Sequence, residues 1–128
     1  MCIRDRNYHR GDYVFLCIDD EHIIKQIKPY LIDGDCGGSA ELLKKVIGVE
    51  GDTVDFSLEG ISINKVKVEN TKPLESERLL HKLDAYTKSQ IIPQGYIVIA
   101  GETYDSLDSR YFGPIHKKWI TGKASRLL

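Results

Sequence analysis

Two lysines stand side by side in an otherwise apolar run, Leu42-Leu43-Lys44-Lys45-Val46-Ile47, which closes on Gly48-Val49-Glu50-Gly51-Asp52. A lysine drawn into such a run either carries its ammonium out to water or loses solvation. In the second case its pKa falls and the neutral amine can act as a base. If the run is extended, Lys44 shares a face with Leu42 and Val46, whereas Lys45 shares one with Leu43, Ile47 and Val49. One lysine must then point toward whichever face is buried, and local pattern does not choose between them. A fully solvated arrangement stays open as well, because lysine stems cover apolar surface while their heads reach water.

A second group, Asp105-Ser106-Leu107-Asp108-Ser109-Arg110, has the residue types to support such a base. In an extended conformation Ser106, Asp108 and Arg110 share a face, so carboxylate and guanidinium can pair while a hydroxyl stays free. A polar turn with a surface ion pair accounts for the same letters. Acyl transfer also requires a nucleophile that surrenders a proton to the base. The serines at 39, 57, 62, 76, 89, 106, 109 and 125 offer no Gly-x-Ser-x-Gly elbow. Cys17 lies among apolar residues and reads as core.

Metal chemistry has little support. Cys2, Cys17 and Cys36 form no C-x-x-C pair, and His9, His22, His81 and His116 have no ligand spacing, so no metal is expected. Cys17 and Cys36 are left either as a disulfide in an oxidising compartment or as two thiols.

The elements that must position these groups are mostly strands. Residues 12 to 18, DYVFLCI, follow an Arg-Gly-Asp turn and are dense in β-branched and aromatic side chains. Ile23, Ile24 and Ile27 recur at helical spacing after an acidic start, which predicts one short helix between Asp19 and Tyr30, ended near Pro29. The Gly-rich segment from Asp33 to Ala40 is a loop. The lysine run reads as a strand that turns at Gly51-Asp52 into TVDFSL as a β-hairpin, and a second hairpin folds around Asn64-Lys65. Residues 70 to 91 read as an irregular excursion. Tyr96 to Ala100, entered through the turn IIPQG, is a strand, and WITGKASRLL closes the chain as another.

Composition bounds the possibilities. A chain of 128 residues encloses one core, and 41% hydrophobic with 29% charged residues is ordinary for a folded domain. Lysine plus arginine number 18 against 19 acidic residues, so no positive excess exists to neutralise phosphates, and nucleic acid is not an expected partner. No window approaches the roughly 20 apolar residues of a membrane-spanning helix, and the N-terminus has no secretory signal pattern. Residues 1 to 6, MCIRDR, have no structural pattern and resemble translated adapter sequence.

In their order RGDYVFL, LLKKVIGVEGD, IIPQGYIVIAG and DSLDSRYFGPI, these segments resemble the bacterial signal peptidases of the serine-lysine type. Within them, RYFGPI and the Cys-Gly loop ahead of the lysine strand are similar to the conjugative-transfer (TraF-type) branch. The resemblance covers most of residues 10 to 126 and implies a complex β fold of short antiparallel strands with one short helix. It implies that Lys44 is the general base and that Ser106 orients it. By the same resemblance Asp108 and Arg110 are a structural ion pair close by, and Gly48, Gly51 and Asp52 shape the turn beyond the base.

The departures carry information too. The family's proline before the Gly-Asp of the lysine motif is Glu50 here, and its Gly-Asp-Asn run before the serine is replaced by AGETYD. In this family the nucleophilic serine and the membrane anchor precede the Gly-Asp matched by Gly11-Asp12. Only ten residues precede it here, none of them serine. The expectation is an artefactual leader over residues 1 to 6, then a catalytic domain over residues 7 to 128 that lacks its anchor and its nucleophile segment and is inactive alone. The parent would be a membrane-anchored serine endopeptidase acting on an exported precursor, pilin-like or signal-peptide-bearing, at the outer side of the cytoplasmic membrane. The rival is a non-catalytic peptide-binding or assembly module on the same fold. A self-cleaving repressor domain would need an attached DNA-binding domain and a cleavable linker, and the chain shows neither.

Overall fold

A computed structural model describes residues 8–18, 41–74, 84–103 and 106–124. The helix expected between Asp19 and Tyr30 and the Gly-rich loop from Asp33 to Ala40 lie outside the described residues. The described strands are β1 (Tyr13–Cys17), β2 (Glu41–Val49), β3 (Thr53–Ser57), β4 (Gly60–Ile63), β5 (Val66–Val68), β6 (Lys88–Ile91) and β7 (Tyr96–Ala100). A one-turn helix, α1 (Ser109–Phe112), then β8 (Ile115–His116), a 3-10 turn over Lys117–Trp119 and β9 (Ile120–Ala124) complete the order. Two sheets result, one ordered β8-β7-β2-β1-β9 and the other β5-β4-β3-β6, with every pairing antiparallel.

β2 lies at the centre of the first sheet and is covered on both faces. Val46 joins Val14, Leu16, Ile97, Ile99, Ile115 and Ile120 in one core, with Leu42 packed against it. Ile47 joins Val54, Phe56, Ile61, Ile63, Ile92 and Val98 in a second core between the sheets, so where chain length led to the expectation of one core, the central sheet separates two. Burial on both faces is why VIGV and YIVIA read as continuous apolar runs rather than alternations. β3, by contrast, alternates strictly, hiding Val54 and Phe56 and exposing Thr53 and Asp55.

That contrast marks where the expected hairpin fails. β2 pairs with β1 and β7, β3 pairs with β4 and β6, and the chain crosses from one sheet to the other at Glu50-Gly51-Asp52. Gly51 supplies a φ of +91° that an L side chain rarely adopts. Its N–H bonds the Ile92 carbonyl at 2.9 Å, the Ile92 N–H bonds the Asp52 carbonyl at 2.8 Å, and Asp52 Oδ2 accepts from the Val49 N–H at 3.0 Å. A turn into a second sheet uses the same Gly-Asp letters as a hairpin turn.

The hairpin around Asn64-Lys65 is present between β4 and β5, with both residues at positive φ as a type I′ turn requires. The stretch read as irregular between 70 and 91 ends in a strand, β6, whose Lys88, Ser89 and Ile91 are exposed on a sheet edge. An edge strand with so little buried surface carries no apolar alternation to detect.

Gly48 shapes packing rather than a turn. It occupies the bulge where β2 shifts register against β7, and a Cβ built there would sit 2.8 Å from Ile92 Cδ1 and 2.9 Å from Ile63 Cδ1. Gly48→Val should therefore destabilise by about 1–3 kcal/mol, with Gly48→Ala milder because isoleucine tips can shift. Chemical denaturation checks this, and equal stability of all three chains would mean that the seam is not close-packed at this point.

Ion pairs pin the periphery. Lys117 Nζ donates to Glu50 Oε1 at 2.8 Å, and this bond, followed by the Gly95 N–H, holds the Glu50 carboxyl below its ordinary 4.5. Burial pushes the Asp12 carboxyl up, but the His9 N–H and the Lys123 ammonium outweigh it and leave the group below its ordinary 3.8. Both carboxyls are thus more acidic folded than unfolded. Their stabilisation is present above the unfolded values and is lost as pH falls through the lower folded ones. In a thermal-melt series, the Tm gap between wild type and Glu50→Gln should narrow once pH drops below 4.5. A gap that stays constant down to strong acid would dissociate the pair from acid stability.

Candidate active site

β2 carries Lys44 on the face of Leu42 and Val46, and β7 ends at Ala100 opposite Lys45. The chain leaving β7 brings Ser106 beneath the lysine, and Lys44 Nζ donates to Ser106 Oγ at 2.7 Å. Ser106 is 6% exposed, so its hydroxyl faces the lysine rather than solvent. The two motifs that the sequence left separate thus meet at one hydrogen bond, 62 residues apart in the chain.

The stretch from Ser106 to Arg110 is not extended. Asp108 caps the N-terminus of α1, its Oδ1 accepting from the Arg110 N–H at 2.9 Å. The guanidinium folds back onto the same carboxylate, Nε donating to Oδ1 at 3.0 Å and Nη2 to Oδ2 at 2.9 Å. Alternation along a strand does not bring Asp108 and Arg110 together here; a helix cap does. Nor is the pair at the surface, for Asp108 is 0% and Arg110 1% exposed.

This ion pair reaches into the chain that leads to Ser106. Asp108 Oδ2 accepts from the Gly101 N–H at 2.7 Å, and Arg110 Nη2 donates to the carbonyls of Thr103 at 2.9 Å and Gly101 at 3.3 Å. The Ser106 N–H donates to the Thr103 carbonyl at 3.3 Å, and Ser109 Oγ accepts from the Ile99 N–H at 2.9 Å. Ser106 is therefore set by backbone held from below.

Gly101 is the residue that sequence reasoning missed. A Cβ at this position would lie 1.9 Å from Ser106 Oγ and 3.1 Å from Lys44 Nζ, so only glycine leaves room for the pair. Its one local signal is a glycine directly after YIVIA. Lys45 points the other way, into a cleft of about 350 Å³ shared with Ile47, Val68, Glu69, Asn70 and Glu102.

The remaining candidates are spread out. Gly51 and Asp52 hold the crossing at the far end of β2, where Asp52 also accepts from Asn64 Nδ2 at 3.1 Å and faces Arg10 at 3.9 Å. Cys17 ends β1 and is disulfide-bonded rather than a core thiol, while Cys36 lies outside the described residues. Among the described residues, no group of three or more His, Cys, Asp or Glu is placed to hold a metal ion. No helix among them is long and apolar enough to cross a membrane.

The chain that carries this serine-lysine pair, on the face of the five-stranded sheet turned away from the smaller one, is matched over residues 2–128 by a family model described as signal peptidase, peptidase S26. The chain belongs to this family. It is 33% identical over 133 residues to a probable conjugal transfer protein TraF of Sinorhizobium fredii, covering 97% of this chain and 66% of that protein. It is 32% identical over 100 residues to signal peptidase IB of Staphylococcus aureus, covering 66% of this chain and 51% of that one. The chain thus spans between about half and two thirds of the length of these relatives. A crystal structure of a signal peptidase I from Enterococcus faecalis superposes with a TM-score of 0.50 at 20% identity, over 94% of this chain and 98% of that one. The mostly β, signal-peptidase-like fold is established by this likeness and by the two sheets.

Removing one member of the buried ion pair should be severe. Asp108→Ala strands a desolvated guanidinium and should cost about 3–5 kcal/mol, read by chemical denaturation. A loss below about 1 kcal/mol would show that water replaces the carboxylate freely.

Proposed function

We propose that this chain is the base-bearing part of a serine-lysine endopeptidase that cleaves exported precursor polypeptides. The observation that carries this reading is the 2.7 Å bond between Lys44 and a buried Ser106 hydroxyl. A hydroxyl enclosed at 6% exposure is shielded from a peptide carbonyl, so Ser106 serves as the orienting group and not as the nucleophile. Lys44 as the neutral amine would take the proton of a serine supplied by sequence preceding residue 7, then pass it to the leaving amine. In this reading residues 7–128 are the catalytic domain, residues 1–6 lie outside it, and the preceding sequence also supplies the membrane anchor. Asp108 and Arg110 hold the chain that carries Ser106 and contact no substrate.

Substrate would add as a strand. β7 pairs with β2 only from Lys45 to Val49, so among the described residues no strand lies beside Leu42–Lys44 on that side. An extended peptide can bond this open edge main chain to main chain, beside the 51% exposed Leu43 and within reach of the lysine. The similarity to a probable conjugal transfer protein supports a pilin-like precursor of a transfer apparatus. The Cys17 disulfide supports an oxidising location, hence the outer side of the cytoplasmic membrane, with Cys36 as the proposed partner.

The test uses the encoded full-length chain and a signal-peptide-bearing precursor, with cleavage followed by mass spectrometry. Wild type should cut once, Lys44→Met should lose activity by about a hundredfold or more, and Ser106→Ala should lower kcat with little change in KM. Cleavage undiminished by Lys44→Met removes this lysine from the mechanism. A folded full-length chain that binds the precursor without cutting it supports the peptide-binding module instead.

A further inference from the structure

The contacts from Asp108 and Arg110 hold Gly101 and Thr103 from the buried side, but they leave the residue between them, Glu102, unexplained. Glu102 is exposed, yet its Oε1 accepts a hydrogen bond from the Tyr13 hydroxyl, 89 residues away in the chain. Tyr13, Lys45 and Ala100 lie side by side across β1, β2 and β7, since Tyr13 is opposite Lys45 and Lys45 is opposite Ala100. Directly opposed residues share a face, and neighbours along a strand point to opposite faces. Tyr13 therefore reaches over β2 on the face opposite Lys44 and grips the chain where it leaves β7.

We infer that Tyr13 is a positioning residue for the Lys44–Ser106 pair, acting through Glu102. The chain at Gly101, Glu102 and Thr103 is clasped from both sides of the sheet: Asp108 and Arg110 bind its backbone beneath, and Tyr13 binds its Glu102 side chain above. The clearance it controls is small. A Cβ at Gly101 would stand 1.9 Å from Ser106 Oγ, so a slight shift of this segment changes the distance between Ser106 and Lys44. Glu102 belongs to the stretch AGETYD, which replaces the family's Gly-Asp-Asn run, and the tyrosine contact gives that departure a structural purpose. Glu102 also lines the Lys45 cleft with Glu69 and Asn70.

The effect on catalysis rests on the proposed role of Lys44; the clasp itself does not. Two measurements on the full-length chain separate them. Amide hydrogen exchange over Gly101–Ser106 should quicken by about tenfold in Tyr13→Phe and in Glu102→Ala, with exchange in β7 unchanged. Precursor cleavage should show kcat reduced by about tenfold in the same variants with KM held, because a displaced base slows chemistry rather than binding. Glu102→Gln, whose amide oxygen still accepts from the tyrosine, should lose less than threefold, and Tyr13→Phe combined with Glu102→Ala should be no worse than either alone. Unchanged exchange in both single variants overturns the clasp. Faster exchange with undiminished kcat overturns its positioning role. If wild type cleaves nothing, the proposed function fails while the exchange result still decides the clasp.

Discussion

The interaction on which the site depends is the buried pair of Asp108 and Arg110. Two full charges at 0% and 1% exposure carry a large desolvation cost, and their mutual attraction offsets it only when the remaining donors and acceptors are also satisfied. Here the carboxylate takes the Gly101 N–H and the guanidinium takes the Thr103 and Gly101 carbonyls, and among the described residues no buried side-chain polar atom lacks a partner. The pair does not add much to stability by itself; it fixes the backbone at Gly101 and Thr103, just beyond β7. The Thr103 carbonyl accepts from the Ser106 N–H and Gly101 leaves the space its hydroxyl fills, which holds Ser106 under Lys44.

A second constraint explains why one lysine of two does this. β2 is shared by two cores, so each of its faces meets a different environment. Lys44 falls on the side where the chain from β7 folds beneath the sheet, and Lys45 falls on the side of the smaller sheet, where a cleft leaves its stem beside Ile47 and Val68. Adjacent residues of identical chemistry thus acquire different surroundings purely from strand alternation. The central sheet matters to the chemistry chiefly because it is rigid and paired on both sides of Lys45, which fixes the backbone from which Lys44 projects.

How much of this was legible in the letters follows from how local each cause is. The strand YIVIA was readable because burial on both faces leaves an apolar run, and YVFLC because β-branched and aromatic side chains fill its alternating buried and half-buried positions. The Asn64-Lys65 turn was readable because a type I′ turn restricts its own residues. Pattern could not choose between Lys44 and Lys45, since which face meets Ser106 is decided 62 residues later, and the family resemblance made that choice. The β2–β3 hairpin was misread because the turn letters are indifferent to whether the next strand pairs with the last one. Ser106 to Arg110 was left open between an extended face and a polar turn with a surface ion pair for a similar reason: Asp-Ser-Arg pairs on a strand by alternation and at a helix start by capping, and neither the cap nor the burial of both charges shows in the letters. Gly101 was passed over because its constraint is a side chain approaching from elsewhere, which leaves no mark in its neighbours.

This distribution of causes bears on how a serine-lysine site can be divided along a chain. In the proposed endopeptidase, the base, its orienting hydroxyl and the ion pair beneath them all lie between Lys44 and Arg110, with Lys44 bonded to Ser106 and Arg110 bonded to the Thr103 carbonyl that also accepts from the Ser106 N–H. A nucleophile supplied by preceding sequence would then enter a site whose base is already placed, so its own segment need only deliver a hydroxyl to the edge of β2. The same edge is where a substrate strand would add, since β7 stops at Ala100 and among the described residues no strand pairs with Leu42–Lys44 on that side. In the proposed enzyme, preorganisation of the base costs nothing at the moment of reaction, and the reacting hydroxyl and the extended peptide would both arrive along the edge of β2.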